Sequence, residues 1–270
     1  MDETLLIKEA CDIVILGGQS NAVGYGHGEM SEPIDDHPEA FVLHDTQYEG
    51  YLKDEHGRDI LSVQAPFTFT ISPMGLIGNI ASVFVDKYIK DGRLQTGRKI
   101  LIIRAAVGGT GFFKHEWSMD GVLFCRLREM IRLALSMNED NRVVALCWHQ
   151  GESDAFERRD MDVETRTTAY EAYFETFLRE VRKLCKNDKL PVMTGGFTDE
   201  WSNTLREQCD AVMGAIQAVC DRVGYARFHS AEGLLSNNQL LNNGDDIHFC
   251  RESSRLLGVK YYNTFVEMMK

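Results

Sequence analysis

Asp12-Ile13-Val14-Ile15-Leu16-Gly17-Gly18-Gln19-Ser20-Asn21-Ala22 is an apolar run of strand length that ends on two glycines and a serine. Four consecutive apolar side chains suit a strand covered on both faces, as parallel strands beneath crossover helices are. The glycines permit a tight turn, and the serine stands where a helix would begin. The same form returns at Ile100–Ile103 and Val143–Trp148, and more weakly at Pro191–Met193 and Ala226–Phe228. Between these runs the apolar residues change to helical spacing: Leu123, Leu127, Met130 and Ala134; then Tyr170, Phe174, Phe177, Val181 and Leu184; then Leu205, Cys209, Val212, Ile216 and Val219. Asn79–Lys90 and the stretch after Glu252, with Leu256, Val259, Tyr262 and Val266, complete the helices. The pattern predicts an α/β chain, a three-layer α/β/α sandwich around a parallel, flavodoxin-like sheet of five strands.

The 270 residues suit one domain. From about Gly28 to Ser72 there is no long helical period, only turn residues and short alternating pieces such as Ala40–His44, which marks a loop-rich insertion. With 44% apolar residues the chain is too hydrophobic for disorder, and its apolar runs are too short to cross a bilayer. Forty-one acidic against twenty-nine basic side chains give a net charge of −12, the wrong sign for a nucleic-acid or anionic-membrane partner. The seven cysteines include no CxxC pair and read as reduced thiols, with no zinc site. Met1-Asp2-Glu3 is acidic where a secretory leader is basic, and Ile13–Leu16 is shorter than a leader's apolar core, so the expected location is the cytoplasm. Self-association into a homo-oligomer stays open.

Ligands of open parallel sheets bind at the carboxyl ends of the strands, and four of those junctions carry chemistry. Gly17–Ala22 offers Ser20 after the first strand. Ala106–Gly111, after the second, offers bare backbone N–H groups. Trp148–Asp154, after the third, gathers His149, Gln150, Glu152 and Asp154, and Asp245–Phe249 follows the fifth. A serine becomes a nucleophile when a base takes its proton, a carboxylate holds that base in one tautomer, and donors wait for the oxyanion. His248 can be the base for Ser20, and Asp245, three positions earlier, can fold back onto the other imidazole nitrogen. The N–H groups of Ser20 and Gly108 and the side-chain amide of Gln150 can form the oxyanion hole. Gln19 and Gly109 are further candidates to touch substrate.

The blocks GQSNA, GGT, HQGESD and DDIH, in that order after successive strands, resemble the SGNH hydrolase superfamily, in its sialate O-acetylesterase-like branch with carbohydrate esterase family 6, which holds acetylxylan esterases. The resemblance spans nearly the whole chain. It implies cleavage of acetyl esters on sugars without metal or organic cofactor, with Ser20 as nucleophile, His248 as base and Asp245 as orienting acid. Glu152 in HQGE is a rival for that acid. Gln150 stands where much of the wider superfamily has asparagine. The implied substrate is acetylxylan or a related acetylated oligosaccharide; alternatives are a sialate O-acetyl ester, a short acyl ester or a thioester, and outside enzymes an idle carbohydrate-binding module.

Plainer readings compete. A serine after a glycine turn can be an N-cap alone. His149, at a buried strand end, reads as a structural hydrogen-bonder, and Glu152 as an anchor for its loop. His115 and Trp117 can line a sugar pocket or cover the sheet edge. Asp12 reads as a strand-end surface group. Gly17-Gly18 and Gly24-Tyr25-Gly26 do not make a nucleotide-binding GxGxxG, and His149 with Glu152 lacks HExxH spacing.

Overall fold

The computed structural model describes residues 7–45, 48–53, 59–63, 67–76, 78–158 and 160–270. Its strands, in chain order, are β1 (Cys11–Gly18), β2 (Ala40–Asp45), β3 (Tyr48–Lys53), β4 (Asp59–Val63), β5 (Phe69–Pro73), β6 (Lys99–Arg104), β7 (Arg142–His149), β8 (Val192–Gly195) and β9 (Ala226–His229). Its helices are α1 (Ser20–Val23), α2 (Ile80–Lys90), α3 (Val122–Ser136), α4 (Glu152–Phe156), α5 (Val163–Leu184), α6 (Asp199–Ser202), α7 (Arg206–Val223), α8 (Asn237–Leu241) and α9 (Arg251–Met268).

The main sheet runs β5-β2-β6-β1-β7-β8-β9. The five expected strands are its consecutive members β6-β1-β7-β8-β9, which is second, first, third, fourth, fifth among themselves, the flavodoxin order. The expectation of five strands is corrected to seven. Two come from the insertion: β2 adds parallel to β6, and β5 returns antiparallel to β2, so the sheet is mixed at that edge. Residues 40–44 alternate too weakly to separate a strand from a loop, and only pairing with the ready edge of β6 decides it. β3 and β4 form a separate antiparallel hairpin. Residues 46–47, 54–58 and 64–66 of the insertion lie outside the described residues.

Strand alternation sorts the core into two layers. Ile13 and Ile15 of β1 join Leu101, Ile103, Leu146 and Trp148 beneath α3, α5 and α7, where Leu127, Phe174, Phe177 and Val212 are buried. Val14 and Leu16 face the other way, with Ile100, Ile102 and Cys147, beneath Phe84 of α2 and Tyr261 and Phe265 of α9. The buried stripe of α9 is Leu257, Tyr261, Tyr262 and Phe265, displaced from the expected one; Leu256 is exposed. Gly258 explains the displacement, because a Cβ there would meet Val83 at 2.8 Å and the Ile80 carbonyl at 2.9 Å. The smallest residue of α9 therefore faces α2 and lets the helix backbones close up.

Asp12 is not a surface group. It is fully buried, with Arg142 Nε at 2.7 Å, Arg98 Nε at 3.0 Å and the Tyr88 hydroxyl at 2.8 Å. A buried carboxylate needs such partners. All seven cysteines are unpaired thiols. Among the described residues no helix is long and apolar enough to cross a membrane.

Candidate active site

The site lies where the strand order reverses, on either side of β1. Gly18 closes that strand with φ of +124°, and a Cβ there would fall 2.0 Å from the His149 carbonyl oxygen, so only glycine fits this approach of β1 to β7. The chain then donates from Gln19 N to the same carbonyl at 2.9 Å and turns into α1. The expected helix at Ser20 is a single turn of four residues.

Ser20, Gln19, Gly108, Gly109, Glu152 and His248 line one cavity of about 710 Å³. The Ser20 hydroxyl makes no hydrogen bond to any described residue. His248 is held from behind: its Nδ1 lies 2.8 Å from Oδ1 of Asp245, whose Oδ2 also accepts from Asn237 Nδ2 at 2.8 Å. Burial raises the Asp245 carboxyl, but the Asn237 hydrogen bond and the facing imidazole outweigh it and hold the group below the usual carboxylate range. An ionised carboxylate only accepts, so Nδ1 carries the proton and Nε2 is the basic nitrogen. The Tyr25 ring stands edge-on to the imidazole, 5.3 Å away.

Asn21 joins the serine to the histidine. Its Nδ2 donates to the Ile247 carbonyl at 3.1 Å and its Oδ1 accepts from Phe249 N at 3.0 Å, so the neighbour of Ser20 grips the backbone on both sides of His248. The same Nδ2 donates to Glu152 Oε1 at 2.7 Å. Glu152 lies 3.4 Å from Nε2 of His149 and pairs with that residue rather than with His248. Burial raises its carboxyl, yet His149 and Asn21 hold it low. His149 is fully buried against the Tyr261 hydroxyl, a structural position.

Gln150 departs from its expected role. It is fully buried and does not line the cavity. Its Nε2 donates to Asp154 Oδ2 at 2.7 Å and lies 3.2 Å from the Thr110 carbonyl and 3.3 Å from Gln19 Oε1, while its Oε1 accepts from the Tyr170 hydroxyl. Two amide hydrogens facing three acceptors leave none to point at an oxyanion. Gln19 is the reverse case. It lines the cavity, its Oε1 accepts from Ser153 N at 3.1 Å, and that backbone donor fixes which end of the amide is oxygen.

Two buried carboxylates shape the loop that carries Gly108 and Gly109. Asp154 accepts from Phe112 N at 3.0 Å and Phe113 N at 2.7 Å, and Glu116 accepts from Gly111 N at 2.8 Å. Burial pushes Asp154 up to about 6 and Glu116 up to about 7, against the pull of those N–H groups. Glu116 thus keeps its proton in the folded chain from its ordinary 4.5 to about 7, and the unfolded chain does not. Its contribution to stability is full below that window and is lost as pH rises through it, by about 3 kcal/mol. Glu116→Gln should remove this part of the slope; urea midpoints of both proteins at pH 5 and pH 8 test it, and an unchanged slope contradicts it.

Trp117 and His115 do not line the cavity. Trp117 is fully buried, its ring 5.0 Å from that of Trp148, and His115 is exposed beside Tyr173. Sequence reasoning missed Asn21, Asn237, Glu116 and Asp154 as organisers of the site. Asn21 and Asp154 stand within the quoted blocks; Asn237 and Glu116 carry no local signal.

A family model described as carbohydrate esterase, sialic acid-specific acetylesterase, matches residues 10–267. Comparison with curated proteins gives no match. Among solved structures, NanS is similar with a TM-score of 0.71 at 18% identity, covering 98% of this chain and 99% of that one. A carbohydrate acetylesterase from Xanthomonas citri gives 0.57 at 15% identity, covering 94% and 55%. A variant of Axe2, an acetyl-xylooligosaccharide esterase from a Geobacillus, gives 0.51 at 11%, covering 96% of each chain. At these identities the likeness is one of fold.

Proposed function

The chain belongs to the sialic acid-specific acetylesterase family of carbohydrate esterases, which makes it a carbohydrate O-acetylesterase, and from that premise we propose that Ser20 is its nucleophile, His248 its base and Asp245 the acid that orients the base. Ser20 Oγ attacks the acetyl carbonyl while Nε2 of His248 takes the hydroxyl proton. The oxyanion forms against the N–H groups of Ser20 and Gly108 and the side-chain NH₂ of Gln19, which replaces Gln150 in this role. Collapse expels the sugar oxygen, which receives the proton from His248, and water then repeats the cycle on the acetyl-enzyme. Imidazole acts as the base in its neutral form.

The observation that carries this reading is the double grip of Asn21 on the backbone around His248, next to Ser20 and with Asp245 on Nδ1. Hydrolysis of p-nitrophenyl acetate tests it. Ser20→Ala is expected to lose about 10⁴-fold or more in kcat; equal rates would remove Ser20 as the nucleophile.

The substrate is an acetylated mono- or oligosaccharide. The family's description points to O-acetylated sialic acid, and the name of the Geobacillus neighbour to acetylated xylo-oligosaccharides. Acetate release from a panel of both separates them, a preference above about tenfold, or 1.4 kcal/mol in transition-state binding, assigning the class.

A further inference from the structure

Among the described residues, the basic side chains around the cavity are paired with carboxylates with one exception, and the Asp246 carboxylate lines the cavity as well. Lys114 is paired with Glu157 at 3.2 Å and Arg126 with Asp45 at 2.6 Å, while Glu152 is bonded to Asn21. Arg104 lines the same cavity, and its guanidinium has no hydrogen-bond or ion-pair partner among the described residues. It is the last residue of β6, with Leu16 of β1 on one side in register and His44 of β2 on the other. Arg104 and His44 both also border a second pocket, of about 190 Å³, lined with Ser72, Asn79 and Ser82.

A partly buried guanidinium without a counter-charge loses solvation and gains nothing, unless a ligand supplies the anion. The chain is strongly acidic, with a net charge of −12, so carboxylates to satisfy this group are plentiful elsewhere on the surface. Glutamine, which carries no charge, would cost less here if no anion were bound. His44 feels the same field: burial first, and then the charge of Arg104, hold its imidazole below its usual range, so it stands neutral beside the arginine and able to donate a hydrogen bond. Planar guanidinium matches a carboxylate with two parallel N–H bonds.

Resting on the esterase reading above, we propose that Arg104, assisted by His44, binds the carboxylate of an acidic acetylated sugar and selects such sugars over neutral ones. Arg104 is a specificity-determining residue at the wall between the catalytic cavity and the smaller pocket, and it takes no part in the acyl transfer itself.

The test uses matched pairs that differ only in charge: O-acetylated glucuronic acid against its carboxamide, and O-acetylated N-acetylneuraminic acid against its carboxamide. For the wild type, acetate release from the acid is expected to exceed that from the carboxamide by about 10²-fold in kcat/KM in at least one pair, through KM. In Arg104→Gln that ratio should fall to near one, and in Arg104→Lys to an intermediate value, since the charge stays and the fork is lost. The ratio is taken within each preparation, so differences in folded fraction cancel. A wild type that treats acid and carboxamide alike in both pairs overturns the proposal, as does a preference that survives in Arg104→Gln. Calorimetric binding of the same pairs to Ser20→Ala reads the anion site without turnover. A wild type that binds the acid selectively yet releases no acetate would overturn the esterase reading and leave the anion site standing.

Discussion

Asp245→Asn is expected to leave a folded protein whose kcat is lower by about 10⁴-fold. The carboxylate accepts from Nδ1 of His248 at 2.8 Å, which keeps the proton there and the lone pair on Nε2. An asparagine can present its NH₂ group to Nδ1 instead, and the ring then moves its proton to Nε2, where the serine needs a base. Asn237 still has an oxygen to donate to, and the residue is a quarter exposed, so stability changes little. Glu152→Gln provides the contrast, since Glu152 pairs with His149 and Asn21 and does not touch His248. A kcat loss below tenfold for Asp245→Asn, measured by acetate release, would remove Asp245 from the proposed triad.

Asn21→Ala is expected to cost about 3–5 kcal/mol of stability. Truncation leaves the Phe249 N–H without its acceptor and the fully buried Glu152 carboxylate without its 2.7 Å donor, and a buried charge stripped of a partner is expensive. Because Glu152 is held below the ordinary range in the folded chain, its contribution is present at neutral pH and is lost as pH falls through the lowered folded value. The deficit of the variant should therefore be larger at pH 7 than at pH 3. Catalysis should fall as well, since the backbone on both sides of His248 loses its ties to Asn21. Denaturant midpoints at the two pH values check this, and a loss below about 1 kcal/mol at pH 7 contradicts it.

The sheet centre was legible because its strands are short apolar runs covered on both faces, so that Ile13–Leu16 and Ile100–Ile103 stand out without any knowledge of their neighbours. The edge was less so. β2 and β5 are half-covered and owe their form to β6 rather than to their own side chains. Periodicity misplaced the buried face of α9 because Gly258, which has no side chain to count, sits at the centre of its contact with α2. At the site, the four blocks marked where the chemistry gathers, since strand ends and glycine turns are local features. They could not say which way an amide points. Gln150 turns inward because Asp154, one helical turn on, takes its hydrogens, and Ser153 N fixes the oxygen end of Gln19. Such directions are settled by partners that meet only in the folded chain, as are the burial of Asp12 and the unpaired state of Arg104.

An acetyl group caught on the protein tests the central claim most directly. Wild-type protein mixed with p-nitrophenyl acetate, quenched in acid during turnover and digested, should yield by mass spectrometry an acetylated peptide with the modification on Ser20. Acetyl on a different residue, or Ser20→Ala turning over the ester at the wild-type rate, would contradict the account.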